Sequence, residues 1–112
     1  MPFKFSRCIC LQTPRFEPAV NFYRDVLGLD PVEAGEGSAE LMAGSNRLFI
    51  DEGARMGPIL EFLVPDLDAA KEELLAKGCP VVVWEGKGGR CYLRDSFDFF
   101  FNLYEGPQAF EG

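Results

Sequence analysis

Any chemistry in this chain has to be done without histidine: across 112 residues it offers 4 cysteines, 18 Asp and Glu, and 11 Lys and Arg. Cys8 and Cys10 stand out first, at positions i and i+2 of an alternating segment. That spacing puts both thiols on one face of a strand, roughly 6–7 Å apart at the backbone, which is workable for two ligands of a soft metal and poor for a disulfide. No Cys-His nucleophile pair can form, so activation of either thiol requires a nearby Arg or Lys. The alternative is that both are small packing residues in a half-apolar pocket. Glu61 is the second chemical candidate. Flanked by Leu60 and Phe62, its carboxyl has a raised pKa if buried, and then serves as a general base or holds a cationic ligand. At a rim it is instead solvated, or paired with Arg90 or Arg94.

These residues have to be positioned by a short plan that occurs twice. Cys8 to Leu29, CICLQTPRFEPAVNFYRDVLGL, reads as an alternating strand, a turn and an amphipathic helix closed by Gly28; Ile59 to Val83 repeats it. A shift of 51 residues brings Leu11 onto Phe62, Thr13 onto Val64, Arg15 onto Asp66 and Ala19 onto Ala70. In the first copy Ile9, Leu11 and Thr13 face one way and Cys8, Cys10 and Gln12 the other. Pro14 ends the strand, Pro18 suits the first helical position, and Ala19, Val20, Phe22, Tyr23, Val26 and Leu27 form a broad apolar helix face. Strands follow near Asp30 to Ala34, Ala39 to Ala43 and Arg47 to Asp51, separated by glycine-containing turns. In the second copy Asp66 is a good N-cap for a helix over Leu67 to Lys77, with Ala70, Leu74 and Leu75 inward and Gly78 as the stop. Strands near Val81 to Glu85, Arg90 to Arg94 and Phe99 to Tyr104 complete it, and the tail GPQAFEG reads as frayed. The module is β-α-β-β-β, with the first copy at about residues 5–54 and the second at about 57–106 of a single domain.

Composition narrows the partners. A net charge of −7 with no stripe of Lys and Arg argues against nucleic acid. No apolar run of about 18–20 residues or signal-like N-terminus is present, so the expectation is a cytoplasmic protein with no membrane partner. The cysteines, Cys79 and Cys91 included, lie in apparent strands or just after a helix and contain no CxxC pair, so no disulfide framework or structural zinc site is expected. The small size makes a shared subunit interface, and hence a homodimer, the default expectation.

AVNFYRDVLGL resembles the first-helix signature of the vicinal oxygen chelate superfamily, the group of glyoxalase I, bleomycin and fosfomycin resistance proteins and extradiol dioxygenases. VPDLDAAKEELLAKG is similar to that superfamily's second helix, and GGRCYLRDSFDFFFNLYE to its closing hairpin. The resemblance spans about Phe5 to Glu105. It implies an α+β fold in which two tandem βαβββ modules form a curved mixed sheet around a cup-shaped cavity, usually in a dimer. Members that do chemistry hold a divalent metal through His, Glu or Gln at the start of each module's first strand and on its last strand. Here the helix register puts Cys8 and Ile59 at the first-strand positions and Asp51 and Asn102 at the last-strand ones. Ile59 cannot coordinate a metal and Asn102 offers only a neutral amide oxygen, so the expectation is no cofactor and no metal of the usual kind. A soft site from Cys8 and Cys10 with Asp51 and Glu61 stays open.

Alternation then gives the ligand-facing set. With Leu60, Phe62 and Val64 under the helix, Ile59, Glu61 and Leu63 look into the cup; with Phe99, Phe101 and Leu103 packed, Phe100, Asn102 and Tyr104 look in. With Cys91 and Leu93 in the core, Arg90, Tyr92 and Arg94 stand on the open face. Together with Cys8, Cys10, Gln12, Phe49 and Asp51 this makes an aromatic pocket with a few polar groups, the make-up of a small-molecule site. Trp84 either adds to it or lies at a subunit contact. Three functions follow. One is a metal-free protein sequestering a small planar or aromatic compound, as the bleomycin resistance branch suggests. Another is a metal-dependent lyase, isomerase or dioxygenase with unusual ligands. The last is a non-catalytic module whose cup is filled by its own side chains. The first is preferred, which leans away from an enzyme and toward antibiotic-resistance-like binding.

Overall fold

The computed structural model describes residues 2–111. The elements run β1 (Lys4–Thr13), α1 (Phe16–Asn21) continuing into a π-helical turn (Phe22–Val26), β2 (Asp30–Gly35), β3 (Ser38–Ala43) and β4 (Asn46–Glu52). They repeat as β5 (Met56–Val64), α2 (Leu67–Ala76), β6 (Val81–Trp84), β7 (Cys91–Arg94) and β8 (Phe100–Glu105), followed by a 3-10 turn (Pro107–Phe110). The fold is α+β and its order is βαβββ twice. Compactness divides it into two units, Arg7–Ile59 and the residues before Arg7 together with those from Leu60 onward.

In the Arg7–Ile59 unit the strand order is β2-β3-β4-β1, with β1 parallel to β4 and the other pairs antiparallel. Parallel neighbours cannot be joined by a hairpin, so the chain crosses over one sheet face, where α1 lies. Leu41, Leu48 and Ile50 form the core there, packed with Ile9 and Leu11 of β1 and with Phe16, Ala19, Val20 and Tyr23. The helix begins at Phe16, two residues ahead of the expected start. Pro18 is therefore its third residue, where its missing N–H costs nothing because first-turn N–H groups have no helical partner. The π-helical turn rotates the expected apolar face, leaving Phe22, Val26 and Leu27 exposed. Gly28, at φ 76°, takes the left-handed conformation that ends the element.

The second unit has the order β5-β8-β7-β6, again with first and last strands parallel. Its core is Val64, Leu67, Ala70, Cys91, Leu93 and Leu103, with Phe62, Leu74, Val81 and Phe101 against it. The Asp66 side chain caps α2 by accepting from the Ala69 N–H at 3.0 Å. Glu105, at the end of β8, accepts from the Leu67 N–H at 2.9 Å. That backbone hydrogen bond, with Lys87 beside it, holds the Glu105 carboxyl below its ordinary range.

Three expectations of packing are corrected in this unit. Leu75 is exposed rather than inward. Phe99, expected in the core, is 69% exposed because β8 starts one residue later and Phe99 belongs to the turn, where its N–H and that of Phe97 both donate to Asp95 Oδ1. The tail is ordered: Pro107–Phe110 make a 3-10 turn, Lys4 Nζ donates to the Ala109 carbonyl, and the same ammonium stands 5.1 Å from the Phe110 ring centroid. Phe5 also sides with this unit, its ring 6.0 Å from that of Phe62.

Asp66→Ala removes the α2 cap. We expect it to lower stability by about 1 kcal/mol, read as a lower urea midpoint at unchanged m-value, whereas Asp68→Ala, two residues on in the first turn of α2, lowers the midpoint by less.

Candidate functional site

On the sheet face away from α1, alternation and register place candidate residues in rows across three strands. Cys10, Phe49 and Glu40 form one row, and Gln12, Asp51 and Ser38 the next. Asp51 is the hub of the second. It accepts from Ser38 Oγ at 2.8 Å and from the Cys10 thiol at 3.4 Å. In that contact the thiol is the donor and the carboxylate the acceptor. Gln12 is buried; its Nε2 donates to the Ala54 carbonyl at 2.9 Å, and its Oε1 has no hydrogen-bond partner among the described residues. The pairing also puts Cys8 beside Arg47, and Arg47 reaches Glu40 at 2.6 Å with its guanidinium 5.5 Å from the Phe49 ring centroid. That contact, mainly as a hydrogen bond, lowers the pKa of Glu40.

Glu33, Ser38, Glu40 and Phe49 line a recess of about 300 Å³ on this unit. Of these only Phe49 was expected. The alternation that selects Ala39 and Leu41 as core equally selects Ser38 and Glu40 for the other face, and that signal was available in the sequence.

In the second unit the corresponding row is Glu61, Asn102 and Tyr92. Asn102 has its orientation fixed from both ends: Oδ1 accepts from the Cys91 N–H at 2.8 Å, so Nδ2 is turned to Glu61, to which it donates at 3.0 Å. Phe100 and Tyr104 flank Asn102 on β8, and Leu63 lies beside Tyr104. Tyr92 is buried, Phe100 half-buried and Tyr104 46% exposed. The two arginines offered as partners for Glu61 are engaged elsewhere. Arg90 precedes β7 and grips Glu85 with its side chain at 2.8 Å and its backbone N–H at 2.7 Å. Arg94 lies 3.9 Å from Asp98.

Two candidates lie elsewhere than expected. Trp84 packs against the α2-side core with Lys71 Nζ 4.6 Å above its ring, on the face opposite Asn102 and Tyr92. The cause is a bulge between Val81 and Val83, which brings Val81 and Trp84 onto the same side. Asp51 is displaced as the counterpart of Asn102. Cys10 pairs with Phe49, 39 positions on, and Glu61 with Asn102, 41 positions on, so the last strand arrives two residues later in the second module. In the sheet it is Phe49, not Asp51, that matches Asn102.

The family model of the glyoxalase/bleomycin resistance protein/dioxygenase superfamily matches residues 6–97. The chain belongs to this superfamily. No curated protein sequence matches it significantly. Among solved structures it is similar to methylmalonyl-CoA epimerase from Mycobacterium tuberculosis, with TM-score 0.59 and 18% identity over 91% of this chain and 88% of that one. It is similar to a Mn(II)-bound glyoxalase from Novosphingobium aromaticivorans, with TM-score 0.62 and 18% identity over 93% of this chain and 40% of that one. A variant of homoprotocatechuate 2,3-dioxygenase from B. fuscum aligns with TM-score 0.64 and 21% identity over 92% of this chain and 32% of that one. At such identities the likeness is one of fold.

By strand register the positions equivalent between the modules are Cys8 and Ile59 on the first strands and Phe49 and Asn102 on the last, while Asp51, the last-strand ligand position that the resemblance implied, is engaged by Ser38 and Cys10. Phe49 and Ile59 have no donor atom, Ile59 is buried, and the Asn102 oxygen is already taken by a backbone N–H. Among the described residues no three His, Cys, Asp or Glu side chains group so as to hold a metal ion. This donor set does not fit the divalent metal of the family's enzymes. No helix is long and apolar enough to cross a membrane among the described residues.

Two outcomes test this geometry. Asp51→Asn withdraws the charged acceptor from Cys10, and peptide-resolved alkylation at neutral pH is expected to run several-fold faster at Cys10 than in the parent. The Arg90 side chain, then its backbone N–H, hold the Glu85 carboxyl down to about 2. The stabilisation from this contact is complete above the ordinary carboxylate range and is lost as pH falls through about 2. Carboxyl NMR titration should place the Glu85 midpoint there, and Glu85→Gln should remove that part of the acid dependence of stability.

Proposed function

We propose that this member of the superfamily is a metal-independent small-molecule-binding protein, a cytoplasmic homodimer that sequesters a planar or aromatic compound rather than turning one over. The observation that carries the reading is the state of the last-strand positions. One is a phenylalanine stacked by Arg47, and the other is an asparagine whose amide is spent on Cys91 and Glu61. What remains on these faces is aromatic surface with a few oriented polar groups: Phe49 with Glu40 and Asp51 in the one unit, Phe100 and Tyr104 with Glu61 in the other. Such mixtures give small-molecule affinity through apolar contact and selectivity through hydrogen bonds. The net charge of −7 favours approach of a cationic ligand over an anionic one.

The epimerase, the glyoxalase and the dioxygenase are enzymes by their descriptions. Their activities are not carried over, because the donor atoms that a metal-centred reaction needs are missing here. Elemental analysis of purified protein, after dialysis against Mn, Fe, Ni and Zn in turn, tests the reading. Substoichiometric metal under every condition is the expected result. One equivalent of metal, lost in the Cys8→Ser, Glu61→Gln double variant, would replace the proposal with an enzyme built on a soft, thiolate-containing site. Light scattering on the same samples reads the dimer directly.

A further inference from the structure

We infer that Glu61 is the anchoring group for the cationic nitrogen of a ring-bearing ligand, an amidine, guanidine or amine on an aromatic body, and that Asn102 is the residue that positions it. The inference rests on the metal-independent reading above and names the ligand class that the site of the second unit would take.

Glu61 is half-buried on β5, and its only hydrogen bond among the described residues is the neutral one from Asn102 Nδ2 to its Oε1. A carboxyl group that takes one neutral donor keeps a second oxygen that a cationic donor can pair with. Among the described residues, the basic side chains of its own unit have other partners, and Lys4 donates to the Ala109 carbonyl. Arg90 is committed to Glu85, Lys87 to Glu105 at 3.0 Å, Lys77 lies 3.9 Å from Glu73, and Lys71 lies over Trp84 on the opposite face. Arg94, on the same face as Tyr92, lies 3.9 Å from Asp98.

Orientation adds to charge. The Cys91 N–H fixes which way the Asn102 amide points, and the amide in turn fixes Oε1 of Glu61 at 3.0 Å, so Oε2 is the oxygen left for a ligand. Phe100 and Tyr104, on either side of Asn102 along β8, face the same way. Aromatic faces next to a carboxylate suit a ligand that is flat at one end and positively charged at the other. The corresponding row in the first unit, where Cys10 holds the place of Glu61 and Glu40 that of Tyr92, already has such a pair within the chain itself: Arg47 on Glu40 with its guanidinium near Phe49. There the cation is built in; beside Glu61 it has to arrive with the ligand.

Benzamidine and its uncharged counterpart benzamide are the probes, titrated at millimolar concentration into the metal-free, isotope-labelled full chain and followed by NMR. Expected for benzamidine are saturable shifts at the Glu61 carboxyl, the Asn102 side-chain amide and the Phe100 and Tyr104 rings, with weaker or no response to benzamide. Glu61→Gln should lower benzamidine affinity about tenfold or more with the thermal midpoint nearly unchanged, and Glu61→Asp should retain part of it. Absence of saturable benzamidine shifts at these groups overturns the inference, as does equal binding of the two probes or binding that Glu61→Gln leaves intact. The metal analysis is independent of all three, so a metal-free protein that ignores benzamidine leaves the broader reading standing and removes this one.

Discussion

The parallel pairing of first and last strands within each module is the contact on which everything else depends. It joins residues about forty positions apart in sequence, β1 to β4 and β5 to β8. A parallel neighbour can be reached only by a crossover, which commits one face of each sheet to a helix and its apolar core. The opposite face is then free of that packing, and the paired strands decide which polar groups meet on it. Glu61 meets Asn102 because β8 lies beside β5 in one particular register; a slip of β8 by one residue would turn Asn102 into the core and leave Glu61 without it.

Much of this was legible from periodicity. Alternation on a strand assigns faces reliably, so Ile9 and Leu11 against Cys8 and Cys10, or Phe101 and Leu103 against Asn102 and Tyr104, fell on the sides the sequence indicates. Helix boundaries followed from Asp66, Gly28 and Gly78, residues whose chemistry or backbone freedom marks an end. The illegible parts share a physical cause: they turn on counts that alternation cannot detect. A register step of two preserves the face, so the substitution of Phe49 for Asp51 as the match of Asn102 leaves no trace in the hydrophobic pattern. The bulge before Trp84 is a single extra residue that reverses parity for the remainder of β6. Likewise the π-helical turn widens α1 without changing its composition, and Val26 and Leu27 end up in solvent. In the candidate site, the identity of the polar residues could be read, but not which of them would satisfy one another.

That mutual satisfaction is the main chemical difference between this chain and the metal-holding design its family implies. Asp51 is shared between Ser38 and Cys10, Glu40 is held by Arg47, and Asn102 is used from both ends. Groups that are each other's partners rigidify a sheet face and lower its appetite for ions. The exceptions among the described residues, the Gln12 oxygen and the second oxygen of Glu61, are therefore more informative than the satisfied majority.

The compact units do not begin where their first strands begin. β1 starts at Lys4, while the unit holding most of it starts at Arg7, a residue with φ 67°; β5 starts at Met56, while its unit takes over at Leu60. Each module thus borrows the opening residues of its leading strand from the other's territory. A polypeptide severed between the modules would yield two pieces with their own strands whole, each lacking the few residues of the other's leading strand that belong to its compact unit. The duplicated sequence is in this sense not a pair of interchangeable cassettes: a copy moved alone would leave behind a few residues of its compact unit.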